Sequence, residues 1–339
     1  MRRVARLRFS VGTLCLILAV ALAGCGGGGG GQESGGGGGG GELSGQIAIE
    51  GSSTVQPISQ AAAERFGQEN PDVRITVGGA GTGDGFEAFC AGETQIADAS
   101  RPIEEEEIAA CEESGVEYIE LQVGLDGISV AVNPENDFAD AMTMDQLNQL
   151  WEPDSQVSQW SQLDPSWPAE DIALFGPGTE SGTFDFFTEV VNGEEGASRT
   201  DYQASEDDNV LVEGVAGDPN ALGYFGFSYY ENNRDRVRAL AIDGGDGPVE
   251  PTVETIASGE YPLSRPLFIY VSVQALEENQ ALEEFVSFYL AEENLNGLVE
   301  AANYVPQPDS VSEEMRQRFE DRVTGTGGGE TTMMMEETT

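Results

Sequence analysis

Along this chain, apolar positions switch repeatedly between two rhythms: short unbroken or alternating runs, and the three-to-four spacing of a helix face. Gln46-Ile47-Ala48-Ile49-Glu50 reads as a strand, and Val55, Ile58, Ala61, Ala62 and Phe66 then recur at helical spacing as far as Gly67. Pro57 suits the first turn of that helix. Val73–Val77 alternates as a strand, with Phe86, Phe89 and Cys90 on a short helix beyond it. Ile103 and Ile108 behind Glu104–Glu107 predict another helix, with Pro102 at an initial position and glutamates facing the positive end of the dipole. Gly127–Val132 predicts a strand, Thr143–Trp151 a helix and Asp171–Phe175 a buried strand. Phe184, Phe187, Val190 and Val191 predict a helix starting within Ser181-Gly182-Thr183. Tyr224–Phe227 and Leu267–Val271 are buried apolar runs, and Leu282–Leu290 is an amphipathic helix. Alternation of this kind argues for an α/β architecture with mainly parallel sheets. No internal repeat is visible.

Four of the strand-to-helix junctions share a chemistry. Gly176, Pro177 and Gly178 break one strand just before Ser181-Gly182-Thr183, and Gly51-Ser52-Ser53-Thr54 follows another. Gly78–Gly85, a glycine loop around Thr82, follows a third, and Ala97–Pro102, containing Ser100 and Arg101, makes the fourth. At a helix start the first N–H groups lack partners and the dipole is positive, so hydroxyls gathered there favour an anion. One such junction alone is more simply a capped surface helix. Four together, one bringing an arginine, argue for a shared anion site.

Composition narrows the chemistry. The 61 acidic residues face 15 basic ones, all arginine, and the chain has neither lysine nor histidine. Without His there is no Ser-His or Cys-His activation and no imidazole metal site. Without Lys there is no Schiff base and no phosphate-loop lysine. No cofactor and no metal are expected, and no catalytic residues. The acidity suggests a high-salt or otherwise unusual setting and makes nucleic acid an unsuitable partner.

The ends of the chain read separately. Arg2, Arg3, Arg6 and Arg8 precede an apolar run from Val11 to Ala23, the layout of a signal peptide over 1–24. Leu22-Ala23-Gly24-Cys25 resembles a bacterial lipobox, which would make Cys25 the lipidated first residue. Loss of that leader leaves 11 arginines against 61 acids, a charge of −50. Residues 25–44 form a glycine-rich tether, and 324–339 a low-complexity tail read as disordered. Cys90 and Cys111 then remain, and in an oxidising compartment they are expected to pair, a reduced buried pair being the alternative.

The junctions also carry a resemblance. Gly51-Ser52-Ser53-Thr54-Val55-Gln56-Pro57, Gly81-Thr82-Gly83-Asp84-Gly85-Phe86, Ala97-Asp98-Ala99-Ser100-Arg101-Pro102 and Gly178-Thr179-Glu180-Ser181-Gly182-Thr183-Phe184 occur in this order. Ala204–Val210, Gly223–Phe227 and Tyr261-Pro262-Leu263-Ser264-Arg265-Pro266 follow. Together they resemble the phosphate-binding proteins of phosphate-specific ABC importers over about 46–320. The resemblance implies a two-lobed, type II periplasmic-binding architecture with the ligand in the interlobe cleft. The chain would cross the hinge near Val123-Gly124 and near Asp243–Gly247, giving one lobe of 45–123 and 246–323 and another of 124–245.

By the same resemblance, Ser53, Thr54 and Thr82 would donate to phosphate from the first lobe, and Ser181, Gly182 and Thr183 from the second. Some family members have an arginine just before the second-lobe motif, where this chain has Gly176-Pro177. Arg101 is expected to replace it, reaching across from the first lobe, beside Ser100. Some also have an aspartate at the position of Ser100, accepting the phosphate's own proton; Asp98, Asp84 and Glu180 are the candidate substitutes. The implied role is that of a monomeric, lipid-anchored receptor in the periplasm or at the cell surface, passing inorganic phosphate to an ABC permease. The alternatives are a receptor for sulfate or molybdate, and a phosphatase-like hydrolase.

Overall fold

The computed structural model describes residues 43–179 and 181–326. The leader, Cys25, nearly all of the tether, Glu180 and most of the 324–339 tail lie outside the described residues. The chain opens with β1 (Gly45–Gly51), α1 (Gln56–Glu69), β2 (Val73–Val77), α2 (Thr82–Cys90), β3 (Ile96–Ala99) and α3 (Glu105–Ser114). It then enters β4 (Tyr118–Val132), the longest strand. Beyond it come β5 (Ala141–Thr143), α4 (Met144–Trp151), α5 (Trp160–Leu163), β6 (Ala173–Pro177) and α6 (Gly182–Asn192). β7 (Gln203–Ser205), α7 (Asp208–Gly217), β8 (Ala221–Gly226), α8 (Phe227–Glu231) and β9 (Arg238–Ala239) follow. β10 (Ala241–Asp243), β11 (Pro248–Val249) and α9 (Val253–Ala257) lead to β12 (Ser264–Ser272). The chain closes with α10 (Val273–Glu278), α11 (Gln280–Leu290), α12 (Glu292–Ala301) and α13 (Asp309–Glu320).

Among the described residues, one nine-stranded sheet runs β2-β1-β3-β12-β4-β8-β6-β7, with β9 also on β4, and a small sheet joins β11, β10 and β5. The parallel pairing expected from the alternation holds for β1 with β2 and β3, and for β6 with β7 and β8. β4 and β12 instead run antiparallel to every neighbour. One carries the chain from the first half to the second and the other brings it back, so they must oppose each other.

Two packing centres flank this pair. Ile47, Ile49, Ile58, Phe66, Leu121, Val123, Leu267, Phe285 and Leu298 share the main core of the first half. Leu125, Ile128, Trp151, Phe187, Tyr224, Ile256, Tyr261 and Leu263 share that of the second. The handover falls between Val123 and Leu125 on β4 and between Leu263 and Leu267 on β12. A bulge lies there, since Leu267 pairs with Gly124 but Phe268 with Gln122; a bulge bends and twists a strand locally.

The return crossing thus lies well beyond Asp243–Gly247, a correction to the sequence reading. Asp243 pairs with Pro248 across a turn, and its Oδ1 accepts from Gly245 and Gly247 N–H. That glycine run is a hairpin inside the second half. Residues 248–263 stay there because Ile256, Tyr261 and Leu263 are buried in its core.

β6 differs in a smaller way from the expected Asp171–Phe175 strand. It continues through Gly176 and Pro177, which pair with Ala204 and Ser205. Pairing with β8 ends at Phe175, so Pro177 faces only one neighbouring strand and its missing N–H is tolerated. Gly176 has a packing reason: a Cβ there would lie 2.9 Å from the Tyr224 ring, which stacks on Phe187 of α6 with centroids 3.7 Å apart. That stack ties the middle of α6 to the second core.

Candidate functional site

Each junction ends a parallel strand and aims its loop at the same edge of the sheet. After β1, Ser52 Oγ accepts from the N–H groups of Thr54 and Val55, at 3.2 and 3.4 Å. Ser52 therefore does the local capping, and the hydroxyls of Ser53 and Thr54 are left for other partners. Gly51 lies at φ +145, with a Cβ there 2.0 Å from the Asp98 carbonyl oxygen, so only glycine lets this loop cross the end of β3. After β2, Gly81 at φ 121 precedes Thr82, the first residue of α2. Thr82 Oγ1 lies 3.1 Å from Ser100 Oγ and accepts from Ser100 N–H at 3.3 Å, joining the second loop to the one after β3.

Ser100 and Arg101 do not stand at a helix start, contrary to the sequence reading. α3 begins at Glu105, with Glu104 as its N-cap and Glu107 completing a capping box. Pro102 precedes the helix instead of opening it, because this reciprocal cap is made by residues further on. An anion beside Ser100 would meet a hydroxyl, a guanidinium and, through Thr82, the start of α2, but not the start of α3. Cys90 and Cys111 form a disulfide joining α2 to α3 beneath these loops, with Cα atoms 4.4 Å apart.

The loops enclose a cavity of about 260 Å³ lined by Ser52, Ser53, Thr54, Gly81, Thr82, Asp84, Ser100 and Arg101 of the first half. Asp185, Glu189 and Glu195 of the second half and Arg265 of β12 complete the wall. This is smaller than the ~300–1,000 Å³ of pockets for drug-sized ligands, and suits a small ion.

Five of the residues named from sequence, Ser53, Thr54, Thr82, Ser100 and Arg101, are thus brought to one cavity. Ser181, Gly182 and Thr183 are not on its lining. Ser181 caps α6, its Oγ accepting from Thr183 N–H at 3.2 Å. Gly182 abuts the site directly, since a Cβ there would lie 2.5 Å from Thr54 Oγ1 and 3.1 Å from Thr54 Cα.

Arg101 does not reach across to the second half. Its Nη1 and Nη2 donate to the two carboxylate oxygens of Glu107, each at 2.8 Å, and its Nε pairs with Glu104 at 3.2 Å. Glu107 accordingly pushes its pKa further up. Local carboxylates satisfy the guanidinium before any cross-cleft partner can.

The sequence reading missed Arg265. It leaves β12 at the crossing and donates from Nη2 to Thr54 Oγ1 at 2.9 Å and to the Gly182 carbonyl at 3.4 Å. Its Nε pairs with Asp126 at 3.3 Å, and the guanidinium carbon lies 4.0 Å from the Phe186 ring centre. Its side chain is 11% exposed and that of Asp126 2%. Burial holds the Asp126 carboxyl above its usual range, and Arg265 works against that shift. An arginine two residues before the apolar run Leu267–Val271, in the Tyr261–Pro266 segment, was the signal available.

The carboxylates divide by placement. Asp98 is fully buried away from the lining, its Oδ1 accepting from Ser59 Oγ at 2.8 Å. Burial pushes it to about 8, and this position removes it as an acceptor for a ligand in the cavity. Asp84 lines the cavity but is exposed. Asp185, in the first turn of α6, is half-buried and raised to about 6, by burial first and then Glu195, with Arg265 opposing. Among the described residues no cluster suited to hold a metal ion is present.

Two halves joined by paired crossing strands, with polar loops around a small cavity at the join, define a binding protein of the periplasmic type. A family model described as a PBP superfamily domain matches residues 37–293, and the chain belongs to that superfamily. Within it, the chain is 45% identical over 296 residues to Protein SphX of Synechocystis sp. PCC 6803, covering 86% of this chain and 88% of that one. It is 39% identical over 304 residues to the phosphate-binding protein PstS of Staphylococcus haemolyticus, covering 89% and 93%. A crystal structure of a possible phosphate binding protein from Planctomyces limnophilus superposes with a TM-score of 0.79 at 49% identity, covering 83% and 99%. The family is one of binding proteins, not enzymes.

Proposed function

We propose that this chain is an extracytoplasmic receptor that binds inorganic phosphate between two closing lobes and delivers it to an ABC permease. The observation that carries the reading is the convergence of Ser53, Thr54, Thr82, Ser100 and Arg101, from loops after three strands, on one small cavity closed by the second half. The naming of PstS as a phosphate-binding protein supports phosphate as the ion. Ser181, Gly182 and Thr183 supply the second lobe's donors from the start of α6, where Gly182 already packs against Thr54. Cys25 carries the lipid that holds the monomeric protein to the membrane, and the glycine tether lets it reach the permease.

A chain of such negative charge can hold an anion because range separates the two effects. The global field is screened over ~8 Å at physiological salt and ~3 Å at 1 M. Binding relies on short charge-assisted hydrogen bonds inside the cavity. The test is calorimetric titration of the full chain in detergent, at high salt, with phosphate and with sulfate in excess. One-to-one phosphate binding that sulfate does not block is the expected result. Equal competition would make the ligand another oxyanion, and no heat with either would end the anion reading.

A further inference from the structure

We infer that Arg265 is the positioning residue of the anion site, fixing the Thr54 hydroxyl as a donor into the cavity when the halves are closed. The inference rests on the phosphate reading above.

A hydroxyl has one proton and two lone pairs, and a guanidinium can only donate. Arg265 Nη2 therefore occupies a lone pair of Thr54 Oγ1, at 2.9 Å, and leaves the Thr54 proton to find an acceptor. Among the described residues no protein group takes that proton. Thr54 is 2% exposed and lines the cavity, so the open direction for its O–H is toward whatever the cavity holds. The charge on Arg265 also polarises the hydroxyl and makes it a stronger donor.

Three parts of the molecule meet at this point. Thr54 belongs to the first half, Gly182 to the second, and Arg265 to the strand that crosses between them. Gly182 packs against Thr54 so closely that a Cβ would lie 2.5 Å from Oγ1, and Arg265 Nη2 also reaches the Gly182 carbonyl at 3.4 Å. Separation of the halves would leave Arg265 only one of these two contacts. The guanidinium itself is aimed by its own strand ladder: Arg265 and Asp126 are direct cross-strand partners. Phe186 lies beneath it and Glu189 approaches at 3.9 Å. Donor direction and closure are thereby set by one side chain.

A hinge ion pair serving stability alone would predict different behaviour, and a mutant cycle separates the two. Phosphate would be titrated into the full chain as wild type, Arg265→Gln, Thr54→Val and the double variant, each melted without ligand. Arg265→Gln is expected to weaken phosphate about 10-fold, and to add less than about 2-fold once Thr54 is already Val. Wild-type affinity in Arg265→Gln, or losses that multiply fully in the double variant, overturns the inference. Because Arg265→Gln leaves Asp126 buried and unpaired, Arg265→Gln/Asp126→Asn is the second variant. The same 10-fold loss there with a wild-type melting curve supports positioning, whereas recovery of full affinity makes Arg265 merely a partner for Asp126. Wild type that fails to bind phosphate overturns the phosphate reading itself, and this inference with it.

Discussion

Two arginines line one cavity, and they are held in opposite ways. Arg101 sits on a loop, 29% exposed, with partners three and six residues further along the chain, Glu104 and Glu107. Arg265 sits on a crossing strand, 11% exposed, and its partners Thr54, Asp126 and Gly182 come from three distant segments. The Arg101 clamp is half-buried on Glu107 and exposed on Glu104, and both partners lie within six residues, so it mainly sets where the guanidinium stands. A buried pair such as Arg265 with Asp126 is costly to break on one side, because the remaining charge has no water. The first arginine is poised by its neighbours in sequence, the second by the closure of the fold.

The largest effect should come from disturbing the hinge side without touching either arginine. Gly182→Ala keeps the backbone N–H at the start of α6 but sets a methyl against Thr54. Phosphate affinity is expected to fall ~100-fold, the upper part of the ~1–3 kcal/mol cost of forcing a methyl into a packed contact. An unchanged titration would show that the halves need not meet there. Arg101→Ala should cost about 10-fold, the lower end for a hydrogen bond to a charged group, with the melting temperature unchanged. A loss larger than that of Gly182→Ala would reverse the ranking of loop and hinge.

A third variant pair probes the support of the loop. Cys90→Ser/Cys111→Ser removes the tether between α2 and α3, whose half-cystines lie 21 residues apart. Stability in denaturant is expected to fall by about 3 kcal/mol, with phosphate affinity altered less than about 3-fold. A collapse of affinity at unchanged stability would mean that the disulfide positions Thr82 and Arg101 directly.

The smallest effect on phosphate binding is expected at Asp98, at the end of β3 just before the Arg101 loop and away from the cavity lining, where the readout is stability against pH. Folding raises its carboxyl to about 8 from an unfolded value near ~3.9, so the folded state holds that proton more tightly. Its contribution to stability is therefore complete below about pH 4 and is lost as pH rises toward about 8. Asp98→Asn should flatten this part of the pH profile, becoming more stable than wild type near pH 9 and similar near pH 4. Parallel profiles in thermal melts would mean that burial does not hold the proton.

Much of the local chemistry could be read from the chain itself. Strand-to-helix junctions, their glycines and hydroxyls, the absence of histidine and lysine, and the apolar faces of α1, α6 and α11 all depend on residues a few positions apart. What such spacing misses is where competition within a loop is resolved. Pro102 looked like a helix start until the Glu104–Glu107 box took that role, and Val190 kept the helical spacing of Phe184 and Phe187 but is 39% exposed.

Long-range placement was decided only by the folded chain. Nothing local distinguishes the hairpin at Asp243–Pro248 from a hinge crossing; burial of Ile256, Tyr261 and Leu263 does. Nothing local brings Arg265 to Thr54, which lies 211 residues away. Adjacent antiparallel crossing strands do so, by setting Arg265 opposite Asp126 at the join. Residue type and spacing chose the candidate donors, because local hydrogen bonding is a property of neighbouring residues. Which of them share a cavity, and which arginine they meet, followed from strand order and packing, which join segments remote in sequence.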